Sequence, residues 1–123
     1  MNELGQKGED LVSEHYQKLG YKLLAQNFIF PRGKQTGEID LIFQKDLELV
    51  FVEVKARRSG RFGGPFESVN FSKQRKLVKT AKLYLALHPK LQNLNYRIDV
   101  AGVDVDNFPE PVIILPNAIE DFD

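Results

Sequence analysis

The sequence predicts an α/β domain in which four to five strands are flanked by helices, and three observations carry that expectation. Two runs of alternating apolar residues, within Gly37 to Lys45 and Glu48 to Arg58, flank the polar Lys45-Asp46-Leu47-Glu48, the pattern of an antiparallel hairpin. Segments with 3.6-residue apolar spacing precede and follow it, at Glu3 to Leu19 and Ser72 to about His88. After each of these helices comes a further β-rich run, Tyr21 to Phe30 and Tyr96 to Val105. With 123 residues and 42% hydrophobic content, the chain can bury a core as one ordinary domain. A single domain over 1–123 is expected, with residues from about 107 to 123 as a peripheral acidic tail.

In the first helix Leu4, Gly8, Val12, Tyr16 and Leu19 form the inward stripe, and Gly20 is placed to cap the C-terminus. Gly5 and Gly8 allow the first turns to approach another backbone. Glu9 borders the buried stripe; on purely structural grounds it complements the positive end of the helix dipole. The first strand ends in Phe28-Ile29-Phe30 and is closed by Pro31, Arg32 and Gly33. After the hairpin, Ser59 to Pro65 is too glycine-rich for regular structure and reads as a basic loop. It lacks the Gly-Lys-Ser/Thr ending of a phosphate-binding P-loop. Ser72 is the expected N-cap of the second helix, whose inward stripe is Gln74, Leu77, Val78, Ala81, Leu85 and His88, with Pro89 ending it. Arg97 and Asp99 share a strand face as a salt bridge. The prolines Pro109, Pro111 and Pro116 limit Val112 to Leu115 to an edge strand.

Several function classes drop out. With no cysteine, neither disulfides nor thiolate metal sites arise, and the reducing cytoplasm is the natural compartment. Met1 to Gly20 is charged throughout, unlike a signal peptide, and no apolar run approaches a membrane span. His15 and His88 have no partner at metal spacing. Formal net charge is zero, but its distribution is uneven. Between Lys55 and Lys90 the only acid is Glu67, whereas from Asp99 onward every charged residue is acidic. Such asymmetry suggests a positive surface suited to phosphates, or else a solvated helix face.

The hairpin concentrates the chemistry. With the turn centred between Asp46 and Leu47, Asp40 lies across from Glu53 and Glu38 across from Lys55. Parity places Ile39, Leu41 and Phe43 with Val50, Val52 and Val54 on one face. On the other face Asp40, Glu53 and Lys55 gather beside Ile42 and Phe51. Charge in an apolar sheet is costly unless paired or metal-bound. Two carboxylates on adjacent strands are hard ligands suited to Mg²⁺ or Mn²⁺, with the Val54 carbonyl as a further ligand and Glu9 completing the acid set. Lys55 would stabilise charge growing on a phosphate. Arg57 and the basic loop would hold phosphates. Metal-assisted hydrolysis of a phosphodiester is the reaction implied; cross-strand salt bridges are the bland alternative.

The order Glu9, Asp40, Glu53-Val54-Lys55, Gln74 resembles the PD-(D/E)xK nuclease superfamily. More closely, five ordered motifs resemble the YraN family of small bacterial proteins: Gly5 to Glu9, Gly37 to Ile42, Phe51 to Arg57, Ser72 to Leu77 and Arg97 to Val100. The similarity covers about Leu4 to Val105. It implies a restriction endonuclease-like mixed sheet flanked by helices, akin to archaeal Holliday junction resolvases. It also implies Asp40 and Glu53 as metal ligands, Lys55 as the catalytic lysine, Glu9 as the helix-borne acid and Gln74 as a supporting residue. Ile39 stands where the superfamily motif has proline. The expected protein is thus a cytoplasmic Mg²⁺-dependent endonuclease acting on DNA, with branched DNA among its substrate forms and a homodimer to cut two strands. Nucleic-acid contacts are expected from Arg57, Arg58, Arg61, Lys73 and Lys76. The rival reading is a non-cleaving nucleic-acid-binding accessory module.

Overall fold

A computed structural model describes residues 3–30, 37–58, 70–106 and 112–119. Helix α1 (Glu3–Lys18) buries Gly8, Glu9, Val12 and Tyr16 along one stripe. It ends in a Schellman motif: Gly20 takes φ +95°, its N–H donates to the Gln17 carbonyl at 3.0 Å, and the Tyr21 N–H donates to the Tyr16 carbonyl at 3.1 Å. Leu19, expected in the inward stripe, is instead 53% exposed, because the chain has left the helix by that residue.

Strands β1 (Lys22–Ile29), β2 (Glu38–Lys45) and β3 (Glu48–Arg57) precede helix α2 (Phe71–Leu87). A short 3-10 turn at Pro89–Leu91 then leads to β4 (Asn95–Asp104) and β5 (Val112–Ile119). The five strands form one mixed sheet in chain order. Only β3 and β4 run parallel, the one pairing that needs a long crossover, which contains α2. The architecture is therefore the mixed, helix-flanked sheet that the sequence led us to expect.

The helices cover opposite faces. Val12 and Tyr16 of α1 pack with Leu41, Phe43, Val50 and Val52, while Leu77, Val78, Ala81 and Tyr84 of α2 pack with Ile42, Leu49 and Phe51. Gly8 makes the first contact close: a Cβ there would stand 2.6 Å from the Ala56 Cβ. The cap of helix α2 lies two residues before the expected Ser72. Asn70 is the N-cap, its Oδ1 accepting from the Lys73 N–H at 2.9 Å; Asn caps as well as Ser, and Ser72 falls inside the first turn.

The hairpin register is the one expected, from Lys45 opposite Glu48 to Leu41 opposite Val52, with Asp46 at φ +53° in the turn. Past Leu41 the arms part. β2 stays paired with β1 as far as Glu38, and β3 with β4 as far as Arg57, but β2 and β3 no longer pair with each other. Three expectations fail at this opening. Neither Asp40 with Glu53 nor Glu38 with Lys55 is registered across the hairpin, although the Asp40 and Glu53 carboxyls still meet through a side-chain hydrogen bond, and Ile39 joins the α2-side core instead of sharing a face with Leu41.

In the middle of β4, registered against Val52, Asp99 is fully buried and fully engaged. Its carboxylate accepts from the Tyr16 hydroxyl at 2.7 Å, from Arg97 Nε at 2.9 Å and from the Asn117 N–H at 2.8 Å. Arg97 also pairs with Glu48. The Arg97–Asp99 bridge of the sequence reading is thus the centre of a larger network. Asn117, at φ +51°, sits where the β4–β5 register shifts, so Asp99 fixes a bulge that accommodates the neighbouring Pro116. β5 consequently runs to Ile119, which is buried. It is longer than the expected Val112 to Leu115 and takes in residues assigned to the peripheral tail. Among the described residues no helix is long and apolar enough to cross a membrane.

Candidate functional site

Where the hairpin opens, a cleft of about 440 Å³ lies between the two helices. β2 supplies Glu38 and Asp40, β3 supplies Glu53, Val54 and Lys55, α1 supplies Gly5 and Glu9, and α2 supplies Lys73, Lys76 and Leu77. Asp40 is the pivot. Only 7% exposed, it accepts the Val54 N–H at Oδ2, 2.8 Å away, replacing the backbone partner lost where the strands separate. The N–H and C=O of a strand residue point to the same side. The Val54 carbonyl therefore faces the cleft as well.

The electrostatics are those of acids crowded together. Burial, a hydrogen bond with Glu53 and the Glu53 charge push the Asp40 carboxyl up to about 8, although the Val54 N–H and Lys55 oppose the shift. Glu9, 6% exposed, is pushed up to about 7 by burial and by the charge of Asp40. Glu38 is raised by burial and by Asp40. Burial holds the Lys55 ammonium below its ordinary range; the Glu53 charge resists this, and neighbouring Lys73 adds to it. Like charges confined at low dielectric hold protons until a cation replaces them.

The structure brings Asp40, Glu53, Val54 and Lys55 together, with Glu9 at the border of the group. Asn27 Nδ2 donates to Glu9 Oε1 at 3.1 Å and contacts Oε2 at 3.4 Å, so this acid is already engaged. Among the described residues, no three His, Cys, Asp or Glu side chains converge enough to hold a metal on their own. Of the four acids that line the cleft, Asp40 and Glu53 share a hydrogen bond, and with the Val54 carbonyl they make a set of two carboxylates and a carbonyl. This set suits Mg²⁺ or Mn²⁺, because Mg²⁺ binds through one or two carboxylates and keeps several waters. Of the expected phosphate-binding residues, Lys73 and Lys76 line the cleft. Arg57 is half-buried at the end of β3. Arg58 points elsewhere, to an exposed ion pair with Asp106 at 3.4 Å, because it has the opposite parity. Arg61 and the basic loop lie outside the described residues. Gln74 is half-buried in the first turn of α2, but that helix faces the cleft through Lys73, Lys76 and Leu77.

Two contributors escaped the sequence reading. Asn27, at φ +51° within β1, binds Glu9 and also hydrogen-bonds Glu38; an Asn interrupting a β-rich run was the available signal. Thr80 is fully buried in α2. Its Oγ1 accepts from the Gly37 N–H at 3.0 Å and contacts the Gly37 carbonyl at 3.1 Å, pinning the start of β2 to the helix.

Fold and cleft together define a small α/β protein that presents an acid pair and a lysine where its central hairpin opens. The model of the uncharacterised protein family UPF0102 matches residues 8–103. A UPF0102 protein of Caldicellulosiruptor bescii is 41% identical over 106 residues, covering 86% of each chain. One from Vibrio parahaemolyticus is 40% identical over 101 residues, 82% of this chain and 80% of its own. A third, from Syntrophomonas wolfei, is 48% identical over 88 residues, 72% of this chain and 73% of its own. The chain belongs to the UPF0102 family, the YraN-type family that its motifs resemble.

Proposed function

We propose that the protein is a cytoplasmic, divalent-metal-dependent endonuclease that hydrolyses phosphodiester bonds in DNA, including branched, Holliday junction-like DNA. The observation that carries this reading is the paired Asp40 and Glu53 beside Lys55 at the hairpin opening, in the order that resembles the PD-(D/E)xK nucleases. Asp40, Glu53 and the Val54 carbonyl would hold Mg²⁺ or Mn²⁺. When bound, such an ion supplies Lewis acidity that draws charge from a phosphodiester. Lys55 contributes positive charge where negative charge develops on the phosphate. Asp40 keeps the opening in shape through the Val54 N–H, while Glu9, oriented by Asn27, can take up a proton from the attacking water. Lys73 and Lys76 hold the flanking phosphates. A chain of this size has little surface for base readout, so recognition rests on backbone and shape. Cutting both strands of a branched molecule calls for two sites, which a homodimer supplies.

The test combines Mn²⁺ titration with a cleavage panel of linear, branched and single-stranded DNA and RNA. Wild type should bind the ion and cut at least one DNA form, while Asp40→Ala and Glu53→Ala should lose both properties. Metal binding and cleavage both absent in wild type would defeat the enzyme reading. Salt-sensitive DNA binding without cleavage would favour the accessory module instead.

A further inference from the structure

The four acids that line the cleft fall into two pairs held in different ways. Asp40 and Glu53 share a hydrogen bond. Glu9 and Glu38 share a third residue instead: the Asn27 amide donates to Glu9 and also hydrogen-bonds Glu38. Glu9 is buried and Glu38 is exposed, so the amide joins a deep acid to one at the rim. Asn27 lies between the strand pairs Gln26–Leu41 and Phe28–Ile39, level with Asp40 on β2, and takes φ +51° within β1. Left-handed backbone suits Asn in a turn but interrupts a strand, and such irregularities re-aim a side chain. Here the re-aimed group is an amide whose two N–H donors meet carboxylates from α1 and β2. Its contact with Glu9 is forked. Nδ2 lies 3.1 Å from Oε1 and 3.4 Å from Oε2, in front of both oxygens, where a carboxylate binds a cation in bidentate fashion. An aspartate has nearly the same shape as Asn, but it would set a third carboxylate beside Glu9 and Glu38, an arrangement that calls for a cation among them. The neutral amide dispenses with that ion.

We propose that the Asn27 amide takes the place of a second divalent cation between Glu9 and Glu38. The cleft then holds a single ion, on Asp40, Glu53 and the Val54 carbonyl, and Asn27 is a positioning residue that keeps Glu9 off the metal. The inference rests on the metal-dependent reading of the cleft and narrows its cofactor to one ion per chain. Glu9 thereby keeps the role given to it above, as a base beside the ion instead of a ligand to it.

The number of Mn²⁺ ions bound per chain, counted by equilibrium dialysis of the full chain at pH 8, tests this directly. Wild type should hold one ion and Asn27→Asp two. Asn27→Gly accepts the left-handed backbone and removes both N–H donors, so it folds as wild type does and should also take a second ion, more weakly than Asn27→Asp. An amide that served only to shape β1 would lower the urea midpoint of the variants and leave their ion count unchanged. The inference is overturned by a wild-type protein that holds two ions, or by a count that rises in neither variant. The two readings fail separately. No ion in wild type but one in Asn27→Asp sinks the nuclease and leaves the amide as a cation's stand-in, whereas one ion in all three proteins, with cleavage intact, sinks the inference alone.

Discussion

Replacing Asp40 with asparagine removes an ionisable group from the hairpin opening but keeps an oxygen that can accept the Val54 N–H, now at 2.8 Å from the carboxylate. The consequence follows from proton linkage. In the folded, metal-free protein the Asp40 carboxyl is pushed up to about 8, whereas in the unfolded chain it titrates near ~3.9. Between those values the folded state holds a proton that the unfolded state has released. Stability must therefore fall as pH rises from about 4 to about 8, by up to ~1.4 kcal/mol per pH unit for one such proton. Below the window both states are protonated and the penalty vanishes; above it the penalty is complete. Because Asp40 and Glu53 share a hydrogen bond and water reaches the cleft, we expect on the order of 2–4 kcal/mol in all, less than the full shift implies. Urea denaturation in EDTA from pH 5 to 8.5 should show this decline in wild type. In Asp40→Asn the curve should be much flatter, keeping a shallow slope from Glu9, whose own rise to about 7 owes part to Asp40. Adding Mn²⁺ at pH 8 should restore wild-type stability, by ~2.7 kcal/mol at a hundredfold excess over Kd, and should leave Asp40→Asn nearly unchanged. Wild-type stability that stays flat or rises across this window, or equal metal stabilisation of both proteins, would refute the reasoning.

Further substitutions test the scaffold. Gly8→Ala would set a Cβ 2.6 Å from that of Ala56 and should cost roughly 1–3 kcal/mol in urea unfolding; Ala56→Gly in the same chain should recover most of it. Tyr16→Phe removes the hydroxyl that donates to Asp99 at 2.7 Å and should cost about 1–3 kcal/mol, since Asp99 is fully buried. Asn70→Ala should lose ~1 kcal/mol of cap stabilisation, while Ser72→Ala, within the first turn of α2, should change thermal stability far less.

What the sequence made legible was whatever obeys a regular period. The turn at Asp46 set the hairpin register as far as Leu41 opposite Val52, which leaves Asp40 and Glu53 next to each other at the opening, where their carboxyls share a hydrogen bond. The 3.6-residue spacing of Val12 and Tyr16 placed Glu9 beside the buried stripe. The illegible features sit where a period is interrupted by a side chain taking over a backbone role. Asp40 accepts a strand N–H, so the arms separate, Ile39 changes face and Glu38 loses its place opposite Lys55. Asp99 does the same to β5 through the Asn117 N–H, which is why the strand continues past Pro116. Asn27 binds an acid that is its neighbour only after folding. Arg58 found a partner in Asp106, a contact that needs the register of β3 against β4.

The central claim, that the opening of the hairpin is a phosphodiesterase site, is tested most directly by Lys55→Met under single-turnover conditions with Mn²⁺ and a branched DNA. Lys55 lines the cleft beside the acid pair and is not assigned to the metal. The variant should keep the Mn²⁺ affinity of wild type within a fewfold and lose cleavage by about 10²-fold or more. Cleavage by Lys55→Met at the wild-type rate would contradict the account.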